Sequence, residues 1–361
     1  MTSSQQGVAH MASVGSKLRV CFLGPVASYT HQATLKAFPA DRYDLIPVTT
    51  IKDIFDTTNS GTADYGVVPF ENSTNGSVVF TLDNFADRDG VYGELNVCRE
   101  IYLDVHHCLL GRKPRSTSTG AGEEDLSRIR RIYSHPQAFG QCTKFLRSRL
   151  RGIETVDVSS TSRAAELAAQ DTSGESAAIS SAAAAELVGI DALVKNIEDR
   201  SDNTTRFFVL RKGTETPILA SGNGPGSLER LTAAEGGEGE GEEADKILLA
   251  KTKSLLSFTV PHRSPGALAD VLSCFRRGGL NLTSINSRPA LSSPSPSAPG
   301  TGSTTAASFE YVFFVEFEGH RFIDRRGRVA GVLAEVASVA RTSRWLGSWE
   351  NMLVASTKNA A

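Results

Sequence analysis

The sequence predicts an α/β protein with a second, ferredoxin-like domain towards its C-terminal end. From residue 18 to about residue 210, short apolar runs alternate with segments of helical pattern, and few polar residues interrupt the apolar runs. Such runs are typical of strands buried on both faces of a largely parallel sheet. Beyond residue 246 the order becomes strand, helix, strand, strand, helix, which is the order of a ferredoxin-like domain that closes with one more strand.

The predicted elements follow from apolar periodicity and from residues that commonly begin helices. In the first part of the chain, strands are predicted at 18–23, 43–47, 65–69, 101–110, 129–133, 177–179 and 206–210. Helices are predicted to begin near Tyr29, Ile51, Val78, Pro136, Ser162 and Ala182. In the C-terminal part, strands are predicted at 254–260, 281–287, 311–317 and 346–349, and helices at 266–276 and 329–339.

Two segments interrupt these elements and have the composition of unstructured chain. Residues 213–245 combine Gly, Pro and Ser with an acidic block at 235–245, and residues 291–308 are rich in Ser and Pro. Such compositions bury too little apolar surface to offset the entropy of ordering. We therefore predict a disordered N-terminus (1–17), a first domain (18–212), a linker (213–245) and a second domain (246–354) that contains the insertion 291–308.

The net charge and the cysteines of the chain indicate which kinds of partner and which cellular compartment are expected. The 361 residues include 38 basic and 40 acidic side chains, so no electrostatic attraction to nucleic acid or to an anionic membrane is expected. No apolar run approaches the length that spans a bilayer. The five cysteines lack metal-ligand spacing and the first 17 residues lack the apolar core of a secretory signal, which together predict a cytoplasmic protein.

Polar clusters at the ends of predicted strands suggest a pocket for a small anion. The first cluster follows strand 18–23, where Ser28 lies at the start of a helix whose free backbone N–H groups would attract an anion. An N-cap formed by Ser28 or Thr30 explains the same residues equally well. There is no GxGxxG pattern here, so a dinucleotide is not supported.

Four further clusters lie at other predicted strand ends. They are residues 69–78 with Glu71 and Asn72, residues 134–137 with Gln141 on the following helix, Ser180 with Ser181, and residues 202–207. Open α/β sheets bind ligands at the carboxyl ends of their strands, where these groups would lie. Each cluster alone also fits a turn, a serine cap or a structural histidine, so it is their combination that favours a site.

The C-terminal domain carries two candidate elements of its own. Gly266 opens its first helix, where the absence of a side chain permits close approach of the backbone. Arg288 follows its second strand and is placed to be an ion-pair partner or a carboxylate clamp. A loop glycine and a solvated arginine are the alternative interpretations.

These clusters, in this order, resemble the motifs of the prephenate dehydratase family. The matching residues are 24–25 with 28–33, 71–73 with 76–78, 134–137, 205–207, 266–268 and 287–289. The resemblance covers residues 18–350 apart from the two insertions. It implies a bilobal catalytic domain similar to a type II periplasmic binding protein, followed by an ACT domain that binds phenylalanine as a feedback inhibitor.

The resemblance also implies roles for the motif residues. It places catalytic groups at Thr205, Asn72, Ser134, Gln141 and Glu71, with Arg206, Phe207, Ser28 and Ser181 as substrate-binding residues. It places the phenylalanine site at Gly266, Ala267, Leu268, Asn286, Ser287, Arg288 and Pro289. The implied reaction is the loss of CO2 and water from prephenate to give phenylpyruvate, which needs neither a metal nor an organic cofactor.

Two points of the implied chemistry stay open. An alcohol such as Thr205 is a poor acid near neutral pH, so it would polarise the leaving hydroxyl while Glu71, His135 or a water supplies the proton. Asn286 stands where the family usually has an acidic residue. If that carboxylate holds the ammonium group of the effector, inhibition should be weaker or differently tuned here.

Other functions share parts of this pattern. Arogenate dehydratase carries out the same chemistry on a substrate with an ammonium group in place of the keto group, and the motifs do not separate the two. A non-catalytic amino-acid sensor has no reason to keep the catalytic positions, and a solute-binding protein requires an export signal. The family implies a homodimer or homotetramer, and since no chorismate mutase segment is evident before Leu18, a monofunctional enzyme is expected.

Overall fold

The computed structural model describes residues 17–113, 126–213, 242–290 and 310–353. The predicted disordered N-terminus, most of the predicted linker and the predicted insertion lie outside the described residues. Within them, the chain forms two α/β lobes and a C-terminal domain, which confirms the predicted fold class.

The first lobe is a mixed sheet covered by helices on both faces. Its elements are β1 (Leu18–Leu23), α1 (Tyr29–Ala37), β2 (Tyr43–Val48), α2 (Ile51–Asn59), β3 (Tyr65–Asn72), β4 (Gly76–Ser77), α3 (Val79–Ala86), β5 (Leu95–Asp104) and the returning β11 (Thr204–Lys212). The strand order is β2-β1-β3-β11-β5, and β11 runs antiparallel to both of its neighbours. The predicted largely parallel sheet is therefore mixed, because β11 returns from the other lobe and inserts between β3 and β5.

The second lobe is a smaller sheet with the strand order β10-β6-β9-β7-β8. Its elements are β6 (Cys108–Gly111), β7 (Arg131–Ser134), α4 (Pro136–Gln141), α5 (Thr143–Arg149), β8 (Glu154–Asp157), α6 (Thr161–Gln170), β9 (Ser176–Ser180), α7 (Ala182–Val188) and β10 (Asp191–Lys195). Its apolar core is rich in alanine and isoleucine, which allows α6 and α7 to pack closely on the sheet.

The chain passes between the lobes twice, at 105–107 and at 196–203. The run at 101–110, predicted as one strand, is divided here, since β5 ends in the first lobe and β6 begins in the second. Glu198 ties the two passages together: it accepts a bond from the backbone N–H of His107 at 2.9 Å and pairs with His106 Nδ1 at 2.8 Å. The lobes therefore meet at a hydrogen-bonded double crossing.

The C-terminal domain has the ferredoxin-like order predicted from the sequence. It comprises α8 (Glu242–Ala250), β12 (Thr252–Thr259), α9 (Ala267–Arg277), β13 (Leu282–Pro289), β14 (Tyr311–Glu318), α10 (Arg328–Val339) and β15 (Thr342–Glu350). The sheet order is β13-β14-β12-β15, with α9 and α10 packed on one face. Helix α8 begins at Glu242, within the segment 213–245 predicted as a linker.

The C-terminal domain and the first lobe share one sheet and one apolar core. Strand β15 pairs with β5 at Gly347 and Val97, which gives a continuous ten-stranded sheet. Gly347 has φ +143°, and a Cβ there would lie far inside van der Waals contact of the Val97 carbonyl oxygen. Trp349 and Phe314 are buried in the same cluster as Phe208 of the first lobe. A glycine is therefore required where the two domains join.

Three strands were not predicted: β4, β8 and β10. Their residues are few or largely exposed, so the apolar periodicity that identifies strands is weak there. None of the helices in the described part of the chain is long and apolar enough to cross a membrane.

Candidate active site and effector cavity

Thr205 lies at the start of β11, where Asn72 at the end of β3 fixes its side chain. Asn72 Nδ2 donates to Thr205 Oγ1 at 2.9 Å and to Asn203 Oδ1 at 2.8 Å. Asn72 Oδ1 accepts from the backbone N–H groups of Thr74 and Asn75, both at 3.0 Å. Because Thr205 Oγ1 is used as an acceptor, its own hydrogen is directed elsewhere and is available to a ligand.

Asn72 itself is fully occupied by protein partners. Its two amide hydrogens and its carbonyl oxygen all take part in the bonds above. The sequence led us to expect Asn72 as a direct donor to a substrate. The structure instead gives it the geometry of a group that orients Thr205.

The second lobe contributes Gln141, which belongs to a short chain of hydrogen-bonded side chains. His107 Nε2 and Gln141 Oε1 are 2.7 Å apart, and His107 Nδ1 lies 2.8 Å from the hydroxyl of Tyr29 in the first lobe. Burial lowers the pKa of His107, although Gln141 and Glu198 oppose the effect. A neutral histidine at the crossing therefore connects the two lobes and holds Gln141.

Ser134 and His135 lie at the end of β7, where the second lobe opens. Ser134 is fully buried and donates to the Ile179 carbonyl at 2.8 Å. His135 is the N-cap of α4 and accepts from the Gln137 backbone N–H at 3.2 Å. Burial lowers the pKa of His135 despite the nearby Asp157, so its ring is neutral at pH 7.

Ser28 and Ser181 begin helices in opposite lobes, and Gln32 joins them. Ser28 caps α1 and Ser181 caps α7, each accepting a backbone N–H from its own first turn. Gln32 Nε2 donates to Ser181 Oγ at 3.0 Å across the lobes. The capping explanation holds for both serines, and the two helix N-termini, which carry partial positive charge, lie close together.

Arg206 points away from this group, and the structure gives it partners other than the expected substrate anion. Its guanidinium lies 2.8 Å from Glu316 of the C-terminal domain, 3.1 Å from Glu71 and 3.5 Å from Glu100. Side chains alternate along a strand, so Arg206 and Thr205 project to opposite faces of the sheet. Arg206 and Glu71, which the resemblance implies to lie beside the substrate, form an ion pair with each other at the boundary with the C-terminal domain.

A β-bulge explains why Glu71 joins Arg206 while Asn72 joins Thr205. Arg206 lies opposite Glu71, but Phe207 lies opposite Pro69, which leaves Phe70 as the extra residue of β3. The guanidinium also stacks over the rings of Phe70 and Phe208, at 4.9 Å and 5.2 Å.

Phe207, also expected at the substrate, is a core residue in the structure. It is 1% exposed and packs with Val20, Phe22 and Ile101 beneath α1. Its contribution is therefore to anchor β11 two residues after Thr205.

A cavity of about 450 Å³ lies at the start of α9 in the C-terminal domain. Its lining includes Gly266, Ala267 and Leu268, together with His262, Leu272 and Phe313. Gly266 has φ +84°, a left-handed conformation that favours glycine, and it forms the N-cap of α9. This volume is in the range of small-molecule sites.

Three of the remaining residues expected at the effector site, namely Asn286, Arg288 and Pro289, contact the first lobe. Asn286 Oδ1 accepts from Ser77 Oγ at 2.7 Å, and Arg288 binds both oxygens of Asp83, at 2.8 and 3.1 Å. The Pro289 carbonyl accepts from Arg88, and the exposed Ser287 lies opposite Phe313 in the sheet. Within this chain, Ser287 therefore lies beside a residue that lines the cavity, whereas its neighbours in the segment 286–289 contact the first lobe.

Sequence reasoning missed His107 and Glu316, and it included Asn203 only as a member of the polar cluster 202–207. Nothing in the pattern identifies His107, because its role depends on the crossing of the two lobes. Glu316 did carry a signal: it is a carboxylate inside the apolar run of β14 and is only 2% exposed. A charge at such a position needs a buried partner.

Comparison with known proteins identifies the family to which the chain belongs. A model of the family described as prephenate dehydratase matches residues 20–215. A bifunctional chorismate mutase/prephenate dehydratase from Aquifex aeolicus is 30% identical over 342 residues, covering 95% of this chain and 76% of that protein. Arogenate dehydratase 1 of Petunia hybrida is 32% identical over 335 residues, covering 93% of this chain and 67% of that protein.

The fold has a solved counterpart of the same description. The crystal structure of a prephenate dehydratase from Arthrobacter aurescens in complex with L-phenylalanine superimposes with a TM-score of 0.69. The two are 26% identical, and the alignment covers 92% of this chain and 90% of the other.

Proposed function

This chain belongs to the prephenate dehydratase family, and we propose that it converts prephenate to phenylpyruvate, CO2 and water under feedback control by phenylalanine. In the proposed reaction the bond between the ring and its carboxylate breaks, and the released electron pair forms a ring double bond. The ring C–O bond breaks at the same time, and the hydroxyl leaves with one proton as water. Aromatisation of the ring drives both events.

The bond from Asn72 to Thr205 is the observation that carries this proposal. Since Thr205 Oγ1 accepts from Asn72 Nδ2 at 2.9 Å, its hydrogen is free to be donated to the leaving hydroxyl of the substrate. A donor fixed before the reaction stabilises developing charge without reorganisation. Thr205 is the proposed catalytic contact, and Asn72 is the residue that orients it.

Groups from both lobes would hold the substrate dianion. The N-termini of α1 and α7 at Ser28 and Ser181 supply partial positive charge. His107 holds Gln141 Oε1, which leaves the amide hydrogens of Gln141 to bind a carboxylate. Ser134, buried under the second lobe, supports the start of α4 beside them.

The proton of the product water is proposed to come from solvent. Glu71 is held by Arg206 on the other face of the sheet, and His135 is neutral at pH 7. Neither therefore meets the requirements of the acid considered from the sequence. A water hydrogen-bonded to Thr205 would deliver the proton as the hydroxyl leaves.

Phenylalanine is proposed to bind in the cavity at Gly266, Ala267 and Leu268. A homodimer or homotetramer would complete the site. The edge strand β13 supports such an assembly, since it exposes Leu282 and Ile285 and pairs only with β14 among the described strands. The five free cysteines, four of them buried, agree with a reducing, cytoplasmic location.

The test is phenylpyruvate formation from prephenate by the purified protein, with and without phenylalanine, and with arogenate assayed in parallel. Turnover of prephenate that phenylalanine suppresses is the expected result. Turnover of arogenate alone would reassign the substrate, and turnover of neither would overturn the proposed reaction. Turnover that phenylalanine leaves unchanged would remove the regulatory part, with Asn286 as the first residue to examine.

A further inference from the structure

Arg206 is almost completely buried at the boundary between the first lobe and the C-terminal domain. It is 6% exposed, and its three carboxylate partners come from three strands: Glu71 on β3, Glu100 on β5 and Glu316 on β14. Of these, Glu316 belongs to the C-terminal domain and makes the shortest contact, at 2.8 Å.

The cluster is built from both sides of the boundary. Lys253 on β12 lies 3.3 Å from Glu316, and Thr283 on β13 donates to Glu316 at 2.9 Å. Glu100 is fully buried and accepts from the backbone N–H of Met352, which follows β15, at 2.8 Å. All four strands of the C-terminal sheet thus contribute to, or lead into, the surroundings of Arg206.

The charges in this cluster are mutually dependent. Burial alone would lower the pKa of Arg206, but Glu316, Tyr102 and Glu100 together outweigh burial and the pKa is raised. Burial alone would raise the pKa of Glu316, but Arg206 and Lys253 outweigh it and the pKa is lowered. Both groups are therefore charged. Removal of Glu316 takes away the shortest of the three carboxylate contacts of Arg206 and leaves the guanidinium with Glu71 and Glu100 alone.

Arg206 is covalently adjacent to Thr205, and its partner Glu71 is adjacent to Asn72. The two ion-paired residues therefore lie next to the two residues whose hydrogen bond fixes the Thr205 hydroxyl. A shift of the Arg206 side chain moves the backbone of β11 at this point. The anchored Phe207 on its other side limits how the strand can absorb that shift.

Strand β14 reaches both the effector cavity and Arg206. Phe313 lines the cavity, and Glu316 follows three residues later on the opposite face of the strand. The alternation is visible in the packing: Val315 and Phe317 lie under α9 and α10, whereas Phe314 lies in the core shared with the first lobe.

We propose that Glu316 is a positioning residue for the reaction: from the C-terminal domain it holds Arg206, and through Arg206 it sets the position of the Thr205 hydroxyl. Occupation of the cavity at Phe313 shifts β14 and is transmitted to Thr205 by this contact. This inference rests on the proposed function and names the route by which its two domains are coupled.

The kinetic test uses Glu316→Gln and Glu316→Asp in the full-length protein. The matched control is Glu335→Gln, which breaks an exposed ion pair with Arg277 in the same domain. Glu316→Gln should lower kcat at least tenfold with little change in KM, and Glu316→Asp should restore most of it. The control should behave as wild type, because exposed ion pairs contribute little.

A double-variant comparison separates positioning from a general structural effect. In the background Thr205→Ala, the change Glu316→Gln should cost no further activity, since the group that it positions is already missing. Equal losses in both backgrounds would overturn the inference. Should Glu316→Gln fail to fold, Thr283→Val removes one bond to Glu316 and keeps the charge; its smaller loss of kcat must also vanish in the Thr205→Ala background.

A spectroscopic measurement tests the inference independently of any activity assay. The ¹³C-methyl resonance of Thr205, assigned by its absence in Thr205→Ala, should move in Glu316→Gln and stay in place in Glu335→Gln. It should also move when phenylalanine is added to the wild type, and the response should be reduced in Glu316→Gln. An unmoved resonance in an otherwise active enzyme overturns this inference alone, whereas a wild type without turnover overturns the proposed function.

Discussion

At the scale of single residues, one hydrogen bond determines how the site can act. Both amide hydrogens and the carbonyl oxygen of Asn72 form hydrogen bonds within the protein, so Asn72 cannot also bind a ligand without losing one of these bonds. Thr205 receives one of those hydrogens and keeps its own. A threonine hydroxyl, itself a poor acid, thereby becomes an oriented donor, which is the more useful property for polarising a leaving hydroxyl.

The first prediction concerns this hydroxyl directly. Thr205→Ala should lower kcat by roughly 10² to 10⁴, the scale of a positioned acid–base or hydrogen-bonding group. Thr205→Ser, which keeps the hydroxyl, should retain most of the activity. Steady-state rates of phenylpyruvate formation check both, and a near-normal rate for Thr205→Ala would remove Thr205 from the mechanism.

The second prediction reverses the direction of the bond. Asn72→Asp keeps the acceptor for Thr74 and Asn75 but replaces the donor to Thr205 with a carboxylate oxygen, so the Thr205 hydroxyl turns to donate to it. The loss of one oriented donor should lower kcat by about 10². Protonation of the introduced carboxylate restores a donor, so the ratio of variant to wild-type kcat should rise as the pH is lowered. A pH-independent ratio would contradict this account.

At the scale of secondary-structure elements, strands β11, β14 and β15 carry the connections between domains. Strand β11 holds Thr205 on one face and Arg206 on the other. Strand β14 lines the cavity on one face and contacts the first lobe on the other. Strand β15 completes the sheet by approaching β5 so closely that position 347 has no room for a side chain.

The third prediction follows from this close approach. Gly347→Ala should destabilise the protein by about 2–4 kcal/mol, the scale of a forced backbone shift at a strained φ angle. Gly331→Ala is the matched control: Gly331 lies within α10, has open space around its Cα and should gain about 0.5–1 kcal/mol as alanine. Urea denaturation of both variants measures the difference. Equal stability of the two variants would show that the junction of β15 and β5 is not close-packed in solution.

At the scale of the whole molecule, the shared core makes the first lobe and the C-terminal domain depend on each other. Residues from both contribute to one buried cluster around Phe208, Phe314 and Trp349. Arg288 with Asp83, and Arg344 with Asp87, add ion pairs along the same boundary. A substitution that destabilises the C-terminal domain should therefore also destabilise the first lobe.

The fourth prediction uses a buried histidine of the C-terminal domain. His320 is 3% exposed, and burial lowers its pKa from 6.5 to about 4. The folded protein therefore favours the neutral ring of His320. The stability that the folded protein has with this ring neutral is fully present above pH 6.5, and it is lost as the pH falls from 6.5 towards 4. Below pH 4 the free energy of unfolding is lower by about 3 kcal/mol on this account, at 1.36 kcal/mol per pKa unit.

His320→Asn tests this contribution, because an asparagine oxygen can still accept the Phe322 backbone N–H that His320 Nδ1 accepts. The free energy of unfolding should fall less between pH 7.5 and pH 5 in the variant than in the wild type. His262→Asn, an exposed position in the same domain, serves as the control. If His320→Asn and wild type lose the same stability on acidification, another group governs the acid response.

The sequence alone determined most of the element order, the ferredoxin-like domain, the family and the motif residues, because apolar periodicity and local motifs are properties of neighbouring residues. It did not determine which face of β11 each motif residue uses, since a single bulge at Phe70 sends Glu71 towards Arg206 and leaves Asn72 with Thr205. It also placed Arg206, Asn286 and Arg288 with ligands, whereas the folded chain places them against another domain. Such assignments depend on contacts between residues more than a hundred positions apart, such as Arg206 with Glu316, and those contacts exist only once the domains have packed together.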